Sequence, residues 1–308
     1  MKEKIVVVLG PTATGKSYCA IEMAKRLEGE IISGDSMLVY RGMDIGTAKP
    51  SETELAAVPH HLVNILPPDA EFNVVDFKNQ AEQLITEITA RGRLPVIAGG
   101  TGLYIKALLE GYSFNQADKV SKVREELESF LFANGKEALY DKLLQLDRKA
   151  AANIHMNNTR RVIRAIESAM QGETVACESE GSETYDAVVF GLNMPREFLY
   201  QRINTRVDLM LQQGLEAEVR QLLQQGVPAD CQSMQSIGYR QMVWYLQDEM
   251  PYAVAIDKLK QATRNFAKRQ ITWFKKMPYI NWIELGEKPD YAAAVNVMCE
   301  AVRKHWQD

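Results

Sequence analysis

Residues Gly10–Ser17 spell Gly-Pro-Thr-Ala-Thr-Gly-Lys-Ser, a complete G-x-x-x-x-G-K-[ST] loop between the apolar run Ile5–Leu9 and the helix-like stretch Ser17–Leu27. Few short patterns constrain a fold so tightly. A buried strand must deliver the loop to a helix N-terminus, where free backbone N–H groups and the helix dipole favour an anion. The main chain of Gly10, Pro11, Thr12, Ala13, Thr14 and Gly15 is expected to wrap phosphate oxygens. Lys16 supplies a point charge, and the Ser17 hydroxyl can hold Mg²⁺. A merely structural glycine turn is the weaker alternative, because the strand–loop–helix setting accompanies the pattern.

The rest of the first hundred residues alternates strand and helix signals, as a parallel α/β sheet requires. Glu30–Ser33 and His61–Leu66 read as strands, the second ended by Pro67 and Pro68. Val74–Ala90 has helical spacing, and Leu94–Ala98 is a buried strand entering the turn Gly99-Gly100-Thr101-Gly102, followed by helix over Leu103–Leu109. Between Tyr112 and Tyr185 strand signals vanish. Charged helical segments replace them at Val120–Phe132, Lys136–Leu146 and Asn158–Met170, and Gln171–Tyr185 is polar and loop-like. A strand returns at Ala187–Asn193, then helices at Glu197–Gln212, Leu215–Gln224 and Tyr252–Lys276, a strand at Tyr279–Leu285 and a helix at Asp290–Trp306. The fold class expected is α/β: a P-loop NTPase-like parallel-sheet core over residues 1–111 and 186–308, interrupted by a helical insertion over residues 112–185. A length of 308 residues suits a core plus an insertion.

A net charge of −4 means that nucleic-acid binding must come from local basic surfaces rather than a global field. Cys19, Cys177, Cys231 and Cys299 are scattered without a C-x-x-C pair, which points to a reducing compartment. The N-terminus runs directly into a strand, and no apolar stretch approaches the ~18 residues of a membrane span. A cytoplasmic protein without a membrane partner is expected, and nothing demands more than a monomer.

Several residues carry candidate chemistry. Asp35, in Ser33-Gly34-Asp35-Ser36, follows a strand and should face the same crevice as the loop, since ligands of open parallel sheets bind beyond the strands' carboxyl ends. It is a general base, a metal-organising carboxylate, or simply the cap of the next turn. Thr101 stands at a second strand–helix turn, where glycines also serve close packing. No long apolar strand outside the loop ends in the Asp or Asp-Glu that coordinates Mg²⁺ in ATPases. The loop therefore holds a polyphosphate other than ATP, or a nucleotide used by a small kinase. Arg202 and Arg206, four apart, either reach a diphosphate or form surface ion pairs. Asn158–Arg164 places Arg160 and Arg164 on one helix face, and Arg264–Lys276 interleaves cations with Phe266, Trp273 and Phe274. Such faces suit RNA phosphates and stacked bases, though each alone also fits a solvated helix over a core. Pro59-His60-His61 lacks a metal-ligand set and reads as turn and core edge.

Taken in order, GPTATGKS, SGDSMLVYRGMDIGTAKP, PHHLVNI, PVIAGGTGLYIKALLEG, NNTRRVIRAIE, SIGYRQM and ATRNFAKRQITWF resemble the motifs of the tRNA dimethylallyltransferases, or tRNA isopentenyltransferases. The resemblance runs nearly end to end. It implies a prenyltransferase that moves a dimethylallyl group from dimethylallyl diphosphate to N6 of adenosine 37, in tRNAs reading codons that begin with U. The P-loop would then bind the donor's diphosphate rather than ATP, with Mg²⁺ at Ser17 and Arg206 as a second diphosphate contact. Asp35 falls on the family's general base and Thr101 on its active-site threonine, which also meets the tRNA. The tRNA-facing stretches implied are Asp35, Ser36, Met37 and Leu38; Arg124; Arg160, Arg161, Val162, Ile163 and Arg164; Gln235, Ser236, Ile237, Gly238, Tyr239 and Arg240; and Lys268, Arg269, Gln270, Ile271, Thr272, Trp273, Phe274 and Lys275. The helical insertion would grip the anticodon stem-loop while the target base is flipped into the core. Two departures stand out: many members carry Gln where this chain has Leu38, and Ser113-Phe114-Asn115-Gln116 replaces a proline-rich stretch. No Cys/His finger of the eukaryotic kind follows the core.

In the reaction implied, N6 attacks C1 of the allyl group, diphosphate leaves from the opposite side, and the ammonium that forms loses its proton. An ordinary carboxylate is basic enough to take that proton late in the step. The chief competing reading is a P-loop small-molecule or nucleotide kinase that binds ATP; an RNA-stimulated ATPase and a non-catalytic RNA-binding protein are further rivals.

Overall fold

The computed structural model describes residues 2–112, 122–170 and 184–307, which fall into two compact units, Met1–Glu110 with Glu183–Asp308 and Gly111–Ser182. The larger unit is built on six strands: β1 (Lys4–Leu9), β2 (Gly29–Ser33), β3 (His60–His61), β4 (Leu94–Gly99), β5 (Asp186–Asn193) and β6 (Asn281–Glu284). They run in the order β3-β2-β4-β1-β5-β6, every pair parallel. Along central β1, Ile5, Val7 and Leu9 enter one hydrophobic core while Val6 and Val8 enter another. Both sheet faces are therefore covered, as parallel sheets require.

The expected α/β class is thus found, with α1 (Lys16–Arg26) directly after the P-loop, α3 (Val74–Ala90) after β3 and α4 (Gly102–Leu109) after β4. One strand expectation is corrected. His61–Leu66 is not a continuous strand: β3 stops at His61, and only an isolated bridge joins Tyr40 to Leu66. Leu62 (φ 59°) and Asn64 (φ 56°) are left-handed, a conformation that ends strand pairing. Short helices escaped the periodicity reading. Among them are α2 (Glu52–Ala57), closed by a Ser51/Glu54 capping box, and α10 (Tyr239–Leu246). The remaining helices of this unit are α8 (Arg196–Gln212), α9 (Leu215–Gln224), α11 (Tyr252–Phe274) and α12 (Tyr291–Gln307).

The smaller unit is helical: α5 (Lys122–Leu146), α6 (Arg148–Asn153) and α7 (Thr159–Met170). The two expected segments at Val120–Phe132 and Lys136–Leu146 are both helical within α5, two helices separated at Gly135, whose φ of 79° and ψ of 172° are not helical. Its start before Lys122, the Ser113–Gln116 departure, Cys177 and most of the loop expected over Gln171–Tyr185 lie outside the described residues. Leu127, Leu139, Leu143, Val162, Ile163 and Ile166 form this unit's own core.

What positions the site is one backbone contact. A Cβ on Gly99 would fall on the carbonyl of Gly34, whose N–H donates to Ala98 O at 2.8 Å. Glycine at position 99 lets the ends of β2 and β4 touch, which sets Asp35 beside Thr101. Gly99→Ala should therefore destabilise the protein by about 1–3 kcal/mol. Chemical denaturation checks this, and an unchanged midpoint would remove the contact from its structural role.

Candidate active site

A cavity of about 600 Å³ opens at the carboxyl ends of β1, β2 and β4, lined by Lys16, Ser17, Asp35, Thr101 and Arg206 among others. Asp35 Oδ1 accepts from the N–H of Met37 at 2.9 Å, so the carboxylate caps its own turn and still lines the cavity. The Thr101 N–H donates to Gly34 O at 3.3 Å, and the Thr101 hydroxyl accepts from the N–H of Ser36 at 3.2 Å. The two strand-end turns are thereby cross-linked. A carboxylate and a hydroxyl meet where a parallel sheet places its ligands.

The P-loop is stapled from several sides. Ala13 (φ 67°) and Gly15 (φ 88°) are left-handed, and Gly15 presses on the Tyr291 ring so closely that no side chain fits. Arg202 donates through Nε to Ala13 O at 2.9 Å and through Nη2 to Tyr291 Oη at 2.9 Å. Arg202 thus holds the loop's carbonyl side, a role neither of its sequence readings anticipated. One turn later Arg206 reaches the cavity. On the other side the N–H of Thr12 donates to Gln270 Oε1 at 3.0 Å, and Thr14 Oγ1 donates to Pro11 O at 2.8 Å.

Electrostatically the cradle is primed for an anion. Burial pulls the Lys16 ammonium down to about 8, with Asp35 opposing the shift and Arg206 adding to it. Burial likewise lowers the Arg206 guanidinium, again opposed by Asp35. Both cations lack the hydration an exposed charge enjoys.

The outer wall is equally organised. Glu218 accepts backbone N–H bonds from Asp44, Ile45 and Gly46 at 2.9, 2.8 and 3.1 Å, and the Tyr239 hydroxyl donates to it at 2.5 Å. Lys49 donates to Tyr40 O at 2.7 Å and to Asp44 Oδ1 at 2.6 Å, so this cation is structural although it borders the cavity. Nothing in the sequence marked Glu218 or Lys49: Glu218 is held chiefly by backbone N–H groups, and Lys49 by one backbone carbonyl and the side chains of Asp44 and Asn64. Ser36, Met37, Leu38, Gln235, Ser236, Ile237 and Gly238 do line the cavity. Tyr239, expected to face RNA, is instead wholly buried against Gly46. Arg240 lies over the Trp244 ring at 5.3 Å.

On α11 the sequence reading merged two faces. Gln270 and Phe274 are buried and Ile271 is half-buried. Lys268, Arg269, Thr272, Trp273 and Lys275 are exposed, and the first four border a surface groove with Asn265. In the smaller unit Arg160, Arg161 and Arg164 are exposed, but Val162 and Ile163 are buried in its core, so their side chains cannot face a ligand. Arg124 pairs with Glu167 at 2.8 Å. His61 pairs with Glu30 at 2.7 Å, a sheet-edge contact in keeping with its expected packing role. Among the described residues no cluster of three or more His, Cys, Asp or Glu could hold a metal ion, and no helix is long and apolar enough to cross a membrane. Cys19, Cys231 and Cys299 are free thiols.

A P-loop on a parallel sheet, with two partly buried cations facing a carboxylate, defines an α/β protein with an anion-attracting cradle beside an acidic side chain. Within that class the chain belongs to the IPP transferase family, whose model matches residues 38–277. It is 49% identical over 292 residues to a tRNA dimethylallyltransferase of Halalkalibacterium halodurans, covering 93% of each chain. It is 50% identical over 286 residues to that of Exiguobacterium sibiricum, covering 92% of this chain and 91% of the relative. The crystal structure of the tRNA isopentenylpyrophosphate transferase of Bacillus halodurans superposes with a TM-score of 0.75 at 45% identity, covering 99% of both chains.

The Lys16 shift makes a testable statement. Its ammonium should titrate near pH 8 in the free protein, followed by NMR of labelled lysine, and should move upward when inorganic pyrophosphate binds. Below about pH 8 both states carry the proton and affinity is constant in this respect; above it, binding must take up a proton and weakens. A Lys16 titration near 10.5 that pyrophosphate leaves in place would contradict the desolvated cradle.

Proposed function

We propose that this chain transfers the dimethylallyl group of dimethylallyl diphosphate to N6 of adenosine 37 in tRNA and releases diphosphate. The observation that carries this reading is the meeting of Lys16, Arg206, Asp35 and Thr101 in one cavity, in a chain of this family. The donor's diphosphate sits on the amides around Ala13–Ser17, between Lys16 and Arg206. C1 of the allyl group then points toward Asp35 and Thr101. N6 of the flipped adenine attacks C1 as the C1–O bond breaks, the diphosphate leaves with the bonding pair, and Asp35 accepts the N6 proton. Thr101 holds the Ser36 turn and so keeps Asp35 in register.

Leaving-group charge is met by Lys16, Arg206 and loop amides placed where that charge develops. The Ser17 hydroxyl is an exposed hard oxygen donor at the start of α1, which suits Mg²⁺ completed by diphosphate oxygens and water. Bound there, Mg²⁺ would supply further charge neutralisation to the departing diphosphate.

For the RNA we propose the exposed cations Arg160, Arg161, Arg164, Lys268 and Lys275 as phosphate contacts, and Trp273 as a stacking surface. The family resemblance also puts Arg124 among these contacts, and assigns the helical insertion, residues 112–185, to the anticodon stem-loop. Gln235–Gly238 and Ser36–Leu38 form the part of the cavity wall that meets the base. Flipping costs a few kcal/mol and least in a loop already unpaired, which favours an anticodon loop over a duplex. On this reading the protein acts in the cytoplasm, as a monomer.

The decisive assay incubates the protein with labelled dimethylallyl diphosphate and an anticodon stem-loop carrying A36-A37-A38. Label on A37 is the expected result; ATP-dependent phosphoryl transfer with no prenylation would instead support the kinase reading. Asp35→Asn should lower kcat by about 10²–10⁴-fold while pyrophosphate affinity stays near wild type. Arg164→Ala and Lys268→Ala should weaken stem-loop binding and flatten its salt dependence, measured by fluorescence anisotropy across a salt series. An effect confined to pyrophosphate affinity would remove those residues from the RNA face.

A further inference from the structure

Tyr291, the first residue of α12, reaches back to the P-loop at two points. A Cβ on Gly15 would land on its ring atoms Cε1 and Cζ and on its hydroxyl. That hydroxyl accepts from Arg202 Nη2 at 2.9 Å, and Arg202 Nε donates to Ala13 O at 2.9 Å. The guanidinium also lies 5.9 Å from the centre of the Tyr291 ring, within cation–π range. On α1 the ring of Tyr18 is 5.6 Å from that of Tyr291. One aromatic side chain thus touches Gly15, faces Tyr18 and anchors the arginine that takes the carbonyl of Ala13.

The peptide between Ala13 and Thr14 is where this matters. It is trans and planar, so its C=O and the following N–H point in opposite directions. With Ala13 O committed to Arg202, the Thr14 N–H must face away from that arginine. Ala13 is left-handed at φ 67°, a conformation costly for a residue with a Cβ and kept only where neighbours enforce it. Arg202 enforces it at the carbonyl, and an arginine tied at two of its nitrogens has little freedom to swing. Backbone amides bind an anion best when they are aligned beforehand, because ordering them then costs nothing at the moment of binding.

We propose that Tyr291 is a positioning residue for the anion cradle: through Arg202 it fixes the Ala13–Thr14 peptide in the orientation that binds the donor's diphosphate. This rests on the reading that the loop holds a diphosphate. Tyr291 and Arg202 do not line the cavity, whereas Arg206, one turn after Arg202 on α8, does. The two arginines therefore divide the work, Arg206 facing the ligand and Arg202 shaping the loop.

Calorimetric titration with inorganic pyrophosphate and Mg²⁺, on the full chain and on Tyr291→Phe, Arg202→Met and the double variant, tests it. Tyr291→Phe keeps the ring against Gly15 and removes only the acceptor for Arg202. It should weaken pyrophosphate binding about three- to tenfold, and Arg202→Met about tenfold or more, the scale of hydrogen bonds made by a charged group. The two losses should not multiply. The double variant should bind like Arg202→Met alone, within about twofold, because the hydroxyl acts through the guanidinium. In the prenyl-transfer assay KM for dimethylallyl diphosphate should rise in step, with KM for the stem-loop unchanged. A Tyr291→Phe protein that melts and binds pyrophosphate like wild type overturns the proposal, even where Arg202→Met loses affinity as a direct ligand would. A double variant whose loss is the product of the single losses overturns it too, as does an Arg202→Met protein of unchanged affinity. If wild type takes up no pyrophosphate, the diphosphate reading of the loop fails first, and the role of Tyr291 with it.

Discussion

Lys16 and Arg206 are two partly buried cations, and Asp35 is the carboxylate the structure sets against both. The imbalance leaves the free cavity short of negative charge in a medium where each uncompensated charge is costly. A polyanion relieves that deficit, and a neutral or cationic ligand does not. The carboxylate has a second consequence. On the proposed reading it is the proton acceptor, while the cations attend to the leaving group. That reading separates acid–base work from charge neutralisation within a single cavity.

Maintaining this arrangement falls to packing and backbone contacts remote from the chemistry. β1 is buried on both faces and carries the P-loop to a fixed point. The Gly34–Gly99 contact brings β2 and β4 together behind Asp35 and Thr101. Arg202 with Tyr291 grips the loop at Ala13, and Gln270 grips it at Thr12. Two of the loop residues adopt left-handed conformations, one of them a non-glycine. Such strain persists only where the surroundings over-determine it. These contacts do so from α8, α11 and α12.

Much of this was legible in the residues themselves. The P-loop, Asp35 and Thr101 were readable because each sits at the end of an apolar run, and a parallel sheet gathers strand ends in one place. The fold class followed from the same alternation. Other features were hidden for definite physical reasons. His61–Leu66 looks like a strand in composition, but Leu62 and Asn64 turn left-handed, and composition does not report φ. The family motif on α11 reads as one RNA-facing stretch, whereas the helix period divides it: Ala267, Gln270 and Phe274 form the buried stripe, and Lys268, Thr272 and Lys275 lie outside it. Arg202 and Glu218 serve backbone carbonyl and amide groups, which leave no trace in a pattern of side chains. Their roles emerge only once the chain is folded.

The central claim is that the P-loop carries the diphosphate of a prenyl donor and aims its C1 at Asp35. A crystal structure with the slowly reacting analogue dimethylallyl thiodiphosphate and Mg²⁺ tests this most directly. The account predicts diphosphate oxygens on the amides of Ala13–Ser17, flanked by Lys16 and Arg206, with the allyl carbon within a few ångströms of the Asp35 carboxylate. An analogue bound elsewhere, or seated on the loop with its allyl chain turned away from Asp35, would contradict it.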